Sequence, residues 1–266
     1  MSTMQHYPTD LTEAQWTLLL GLLPARQWHP GGPGRPPCDL RQVLNGIWYL
    51  LKTGCQWRML PREFGKWTTV YAYFRNWRQQ GVWAKLREAW RQCERRQQGR
   101  QAEPSAGSGD SQSIQTATPA TEVGFDGGKQ VKGRKRHLVV DTRGLLIAVV
   151  VTAANTDDRL GLMMLLTRYF VSGVKRLRKL WVDAGYQAEW LAQGVRDLKH
   201  TQKIDLEVTG HEGKGFQVIP WRWAGERPFA WLLNDRRHSR DYERLTTNSK
   251  AMIQLSMIRL LLNRLK

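Results

Sequence analysis

The sequence predicts a mixed α/β protein in two parts, an all-helical N-terminal region at 1–98 and a mixed sheet with flanking helices at 110–266. Three observations carry this expectation. Apolar residues recur at helical spacing through the first 96 positions. Composition then shifts to Gln, Gly, Ser, Ala and Pro, which reads as a linker at 99–109. Beyond it, short apolar runs alternate with helical periodicity, the pattern of a sheet flanked by helices.

Bulk composition narrows the function. A chain of 266 residues with 41% hydrophobic and 10% aromatic residues can bury a core as one large domain or two ordinary ones. Its longest apolar stretch, 145–154, is too short to span a bilayer. The first eight residues lack the basic region and apolar core of a signal peptide, so a cytoplasmic location is expected. Cys38, Cys55 and Cys93 are odd in number and widely spaced, supporting neither a disulfide framework nor a zinc knuckle. Forty-one Lys and Arg against 23 Asp and Glu give a net charge of +18, and such an excess favours polyanions because phosphate contacts release counterions.

In chain order, Thr12 can cap a helix over 11–23, which Pro24 stops. A Gly- and Pro-rich loop follows at 25–37, then a helix capped by Asp39, running to Thr53 and ended by Gly54. After a short turn at 57–60, Thr68 or Thr69 can cap a helix to Gln80, with Val70, Phe74 and Trp77 on one face and Tyr71, Arg75 and Arg78 elsewhere. Helix, tight connection and a second helix with basic and aromatic residues on its free face is a helix-turn-helix layout, whose second helix enters the major groove. An ordinary helical bundle with solvated arginines fits the same pattern. One more helix covers 82–96.

In the second part, 134–141 and 145–155 read as a hairpin about Thr142-Arg143-Gly144. The cations at Lys132, Arg134, Lys135 and Arg136 either track a phosphate backbone or guard a solvated edge. Asp157 or Asp158 caps a helix with Leu162 and Leu165 at its core. Leu180 to Asp183 is an apolar strand closed by Asp-Ala-Gly, and Asp183 reads either as a turn former or as a ligand at the carboxyl edge of a sheet. A helix at 188–199, a strand at 204–209, a Gly-rich turn at 210–215, a helix holding Glu226 and an apolar terminal helix at 248–265 complete the pattern.

Asp110, Asp183 and Glu226 come from three distant points in the chain, the distribution that a magnesium-dependent nuclease requires of hard oxygen ligands. The motifs Gly54-Cys55-Gln56-Trp57-Arg58-Met59-Leu60-Pro61, Asp110-Ser111-Gln112-Ser113, Lys132-Gly133-Arg134-Lys135-Arg136-His137, Asp183-Ala184-Gly185-Tyr186 and Glu226-Arg227-Pro228-Phe229 resemble those of bacterial insertion-sequence transposases of the DDE class, in the insertion-sequence-five family. The likeness runs from about residue 11 onward.

The resemblance implies an RNase H-like catalytic core with Asp110, Asp183 and Glu226 as its metal-binding catalytic triad. It further implies two Mg2+ ions, with Mn2+ as a substitute, double-stranded DNA as partner at element ends and target, and a homodimer on DNA. Terminal inverted repeats would be bound, the phosphodiester hydrolysed at each end and the 3′ hydroxyl joined to target DNA. A non-catalytic regulator or a nuclease without strand transfer shares these features. Phosphate-holding roles fall on Arg58, Tyr71, Arg75, Arg78, Lys132, Arg134, Lys135, Arg136, Arg222 and Arg227. The family's late signature, Tyr-x2-Arg-x3-Glu-x6-Lys, is met at Arg222 and Glu226. Ile219 and Leu233 stand at its Tyr and Lys places, and Arg236 and Arg237 could supply the missing charge. Ser108-Gly109 replaces the apolar strand residues that relatives carry, so the approach to Asp110 is expected to be flexible.

Overall fold

The computed structural model describes residues 7–24, 38–117, 119–171, 176–198, 204–209 and 220–264. Local chemistry sets the N-terminal helices. Thr12 and Gln15 form a reciprocal capping box that starts α1 (Glu13–Leu20). The Asp39 carboxylate accepts from two backbone N–H groups to start α2 (Leu40–Thr53), and Gly54, at φ 72°, ends it in the left-handed region. Two short 3-10 turns, Trp57–Met59 and Arg62–Phe64, lead to α3 (Trp67–Gln79). This connection is longer than the tight one the sequence suggested, and Lys66, not Thr68 or Thr69, precedes the helix without a side-chain cap. Gly81, again left-handed, turns the chain into α4 (Val82–Gln97).

The sheet begins earlier than composition suggested. Residues 106–109, expected in a linker, are the first part of a ten-residue strand, β1 (Ala106–Gln115). β1 pairs antiparallel with β3 (Val131–Asp141) along Gly107–Gln115 and parallel with β5 (Lys179–Asp183) at Ala106–Ser108. Small residues are needed here for packing. A Cβ on Gly109 would stand 3.2 Å from Leu162 and 3.3 Å from Val182, so helix and strand close directly over the backbone. The short β2 (Gly124–Asp126), unforeseen because three residues carry no pattern, and β4 (Leu146–Ala153) both pair with β3. β6 (Asp205–Thr209) extends the sheet parallel to β5. The expected turn at 210–215 and Ile219 lie outside the described residues.

Helices cover both faces. Val139, Ile147 and Val150 pack under α5 (Asp158–Val171) and α6 (Glu189–Asp197). Leu138, Val140 and Val149 pack under α7 (Pro220–Leu232) and α8 (Thr246–Arg264). α8 also turns Met252, Leu255 and Ile258 into the cluster of Leu44, Ile47, Phe74 and Trp83 from the N-terminal helices. The result is an N-terminal helical region followed by an RNase H-like mixed sheet with flanking helices, as expected. No helix among the described residues is long and apolar enough to cross a membrane.

His137 on β3 is 1% exposed, with Nε2 2.9 Å from Thr152 Oγ1 and its ring against the bare Cα of Gly161. Burial lowers its pKa to about 4; Asp158 and Asp157 oppose the shift, while Lys135 and Lys129 add to it. The unfolded chain, with a histidine near 6.5, takes up this proton first. The resulting stability is complete above about pH 6.5 and is lost as pH falls through about 4. Asp110 and Glu243, whose pKa values are raised, act in the opposite sense, so the histidine is isolated by difference. Urea unfolding of the protein and of His137→Gln at pH 7 and pH 5 should show a loss on acidification larger by about 2 kcal/mol in the unaltered protein. An equal loss in both would contradict this assignment.

Candidate active site

Each carboxylate is placed by a different part of the fold. Asp110 lies mid-strand in β1, opposite Leu138 of β3. Pairing with β5 stops at Ser108 and Trp181, which leaves an opening between the two strands beyond that point. Asp183, the last residue of β5, stands on that opening beside Thr209, the last residue of β6. Glu226 arrives from α7, which lies close to β1: a Cβ on Gly225 would meet Ser108 Oγ at 2.8 Å and Asp110 Cβ at 3.4 Å. The three carboxylates, Ser108, Gly109, Val182 and Thr209 line one pocket of ≈ 130 Å³. It opens at the carboxyl ends of the parallel strands, where ligands meet open α/β sheets.

Electrostatics make the pocket cation-seeking. The pKa of Asp110 is raised to about 6, first by burial and then by Asp183 and Glu226; the Ser111 N–H, donating to Asp110 Oδ1 at 2.7 Å, and Lys129 hold it down. Like charges at close quarters oppose joint ionisation, and a bound cation reverses that balance. Asp183 closes a turn and also faces the pocket. One oxygen accepts from the Gly185 N–H at 3.0 Å, closing the turn, while the residue still lines the pocket. Among the described residues no three acidic, His or Cys side chains stand close enough to chelate one ion. The donor chemistry is nevertheless all oxygen, with three carboxylates and a Thr209 hydroxyl that donates to the Val182 carbonyl at 2.9 Å. That set suits a hard divalent cation rather than a soft one.

The expected phosphate ligands divide sharply. Arg58, Arg75, Lys132 and Arg236 are exposed, and Arg227 is half-buried between Trp223 and Trp231. Arg134 is fully buried and donates to the carbonyls of Thr121, Glu243 and Arg244. Arg136 is 1% exposed and donates to the His238 carbonyl. The Lys135 ammonium lies 3.0 Å from Asp158 and 3.5 Å from Asp126. Arg237 is paired with Glu243 at 2.7 Å and donates to the Cys55 carbonyl. These four are corrected to structural cations: their charged ends are engaged inside the protein and do not reach a phosphate. Tyr71 is likewise corrected, since its ring packs on Trp57 and Phe74. Arg78 donates to Thr247 and ties α3 to α8. The Arg222 side chain lies outside the described residues. Sequence reasoning missed Thr209 and Gly225; a residue ending the strand parallel to Asp183 is the one signal that could have found Thr209.

Comparison with known proteins places the chain. A family described as "Transposase DDE domain" matches residues 101–261. The chain belongs to the DDE transposases. Residues 11–87 match a second family, described as "Putative transposase of IS4/5 family (DUF4096)". An "Insertion element IS402 uncharacterized 16.2 kDa protein" of Burkholderia cepacia is 42% identical over 76 residues, 27% of this chain and 52% of that protein. A "Putative transposase for insertion sequence element IS402" of the same organism is 30% identical over 129 residues, 46% of this chain and 60% of that protein. The chain thus spans little more than half the length of these curated relatives. No solved structure matches.

The contact of Gly225 with β1 yields a test. Gly225→Val should lift α7 and carry Glu226 away from Asp110, while the rest of the core keeps its packing. Displacements near 1 Å can cost about 10²-fold in rate. The DNA cleavage proposed below for this pocket should therefore fall by about that factor, with far-UV circular dichroism unchanged. Full activity in this variant would contradict the role given to the α7–β1 contact.

Proposed function

We propose that the protein is the transposase of a bacterial insertion sequence, which cuts DNA at the element's ends and joins the freed 3′ hydroxyl to target DNA. The observation that carries this reading is the meeting of Asp110, Asp183 and Glu226 in one pocket at the sheet edge, from three distant points of a chain that belongs to the DDE transposases. We assign these three as catalytic residues and metal ligands for two divalent ions, Mg2+ or Mn2+. Such ions lower the pKa of bound water and neutralise charge on the phosphate under attack.

The chain's own residues do the rest. Asp110 and Asp183 project from strands held in one sheet and so keep a fixed relation to each other. Glu226 completes the set from α7. Arg227, one residue on, presents a guanidinium suited to phosphate oxygens. Arg58, Arg75, Lys132 and Arg236, all exposed, are assigned to the DNA backbone, with Arg75 on the exposed side of α3, the expected reading helix. Pairing of two ends calls for a homodimer on DNA, and the site of action is the bacterial cytoplasm.

The test incubates the protein with DNA carrying the element's end, a target plasmid and Mg2+, beside Asp183→Asn. We expect cleaved and joined products from the unaltered protein and about a thousandfold slower cleavage by the variant, the size of a lost charge ligand worth several kcal/mol. Undiminished cleavage by Asp183→Asn would remove the metal assignment. Cleavage without joined products would make the protein a nuclease, and binding without cleavage a regulator.

A further inference from the structure

A second pocket lies on the other flank of α7 from the carboxylates. It has a volume of ≈ 520 Å³ and is lined by Arg143 from the β3–β4 turn, Arg227 from α7, Arg264 from the end of α8, and Glu94, Gln98 and Thr142. Three guanidiniums therefore face one carboxylate. Glu94 is 3.6 Å from Arg143, and the nearby Asp141 is already paired with Arg95. The Nε atoms of Arg143 and Arg227 are shielded from water yet have no hydrogen-bond partner. Burial and the mutual repulsion of these arginines weaken their hold on their protons, Arg227 through Arg143 and Arg264 through both. Charge, unpartnered donors and volume all suit the pocket to an anion.

Aromatic rings fix the cluster in place. The Arg227 guanidinium lies 3.9 Å from the Trp223 ring centroid and 5.8 Å from that of Trp231, and Arg264 lies 4.6 Å from Trp231. Trp231 is pressed against Gly144, where a Cβ would come within 3.0 Å of the indole. Trp223, Arg227 and Trp231 recur every four residues and form one stripe along α7, beside Glu226. Trp223 is 55% exposed, a large aromatic face left in solvent at the end nearest the carboxylates. A polyanion leaving the carboxylate pocket along α7 meets this stripe and then the arginines.

We propose that the Arg143, Arg227 and Arg264 pocket grips a backbone phosphate of the DNA strand that flanks the bond being cut. The inference rests on the transposase reading and extends it to Arg143 and Arg264, which no motif of the sequence marks. Three planar guanidiniums from three elements can offer paired donors to a phosphate from several sides, as lysines could not. The site reads no base, so it anchors any sequence that follows the element's end.

The experiment measures anisotropy of a labelled 30-base-pair duplex at 50 to 300 mM NaCl without divalent cation. It compares the unaltered full chain, Arg143→Gln with Arg264→Gln, and the charge-matched pair Arg168→Gln with Arg196→Gln on the distant helices α5 and α6. Loss of one phosphate contact weakens binding about 8-fold at 0.1 M salt and reduces the salt slope by about 0.9. We expect that change in the pocket variant and little in the control. Should the double variant unfold, Arg143→Gln alone, at a half-exposed turn, carries the test. Equal effects in both pairs, or none in the pocket variant, would overturn the proposal. So would stabilisation of the unaltered protein by millimolar inorganic phosphate, lost in the variant while its DNA affinity is unchanged, since the pocket would then serve a free anion. Failure of the unaltered protein to bind DNA would sink the transposase reading as well; unchanged affinity and salt slope in the variant, with the unaltered protein binding, would sink this inference alone.

Discussion

The fold depends on α8 being buried on nearly all sides. Residues 251–258 of this helix are buried without interruption, a pattern that no one-sided helix shows. Ile253 and Met257 face the sheet, and Met252, Leu255 and Ile258 face the N-terminal helices. The last long element of the chain is therefore the common wall of two cores. Polar ties follow the same seam. Arg87 of α4 donates to the carbonyls of Leu146 and Ile147 at the start of β4, Arg95 pairs with the buried Asp141, and Arg237 reaches the Cys55 carbonyl after α2. Helical region and sheet are thus held in fixed relation by groups that would be costly to separate, since each tie is desolvated.

That seam changes what a net charge of +18 means. Arg87, Arg91, Arg95, Arg134, Lys135, Arg136 and Arg237 are each no more than 8% exposed, and all seven contact a carboxylate or a backbone carbonyl. The pKa values of Arg87 and Arg136 are lowered to about 10 by burial, which still leaves both charged at neutral pH. Attraction for a polyanion belongs to the remaining cations and to where they gather. The bulk figure pointed to a polyanion, but through a sum that mixed structural and available charge.

Where sequence and structure agree, the signals were local. The Thr12 box, the Asp39 cap and the Gly54 stop act within four residues, and the hairpin turn at 142–144 sits between two strands that pair directly. Where they differ, distant parts decided. Ala106–Gly109 resembles a linker by composition, yet those small residues are what allow β1 to lie under α5 and α7 at once. The alternating cations of β3 look like a solvated edge, but β1 and β4 flank that strand and the chain after α7 closes over Arg134. Of the three carboxylates only Asp183 closes an element; Asp110 lies mid-strand and Glu226 mid-helix, and those two were picked out by the resemblance of their flanking motifs rather than by local pattern. The arginines of the second pocket were not, because a turn, a helix middle and a helix end have no common pattern in one dimension.

Under the proposed function, Glu226 and Arg227 let one helix serve both sides of a phosphodiester reaction. Consecutive helical residues point about 100° apart, so α7 turns a carboxylate to one pocket and a guanidinium to the other. Without a cation the three carboxylates of the first pocket repel a polyanion. The second attracts it regardless of metal. Under the proposed function a DNA strand is therefore held by its flanking phosphates before the carboxylates are neutralised, and the opposite signs of two pockets that share a helix set that order. Rigidity of α7 on β1, through Gly225 and Ser108, is what keeps those two signs at a fixed spacing along the strand.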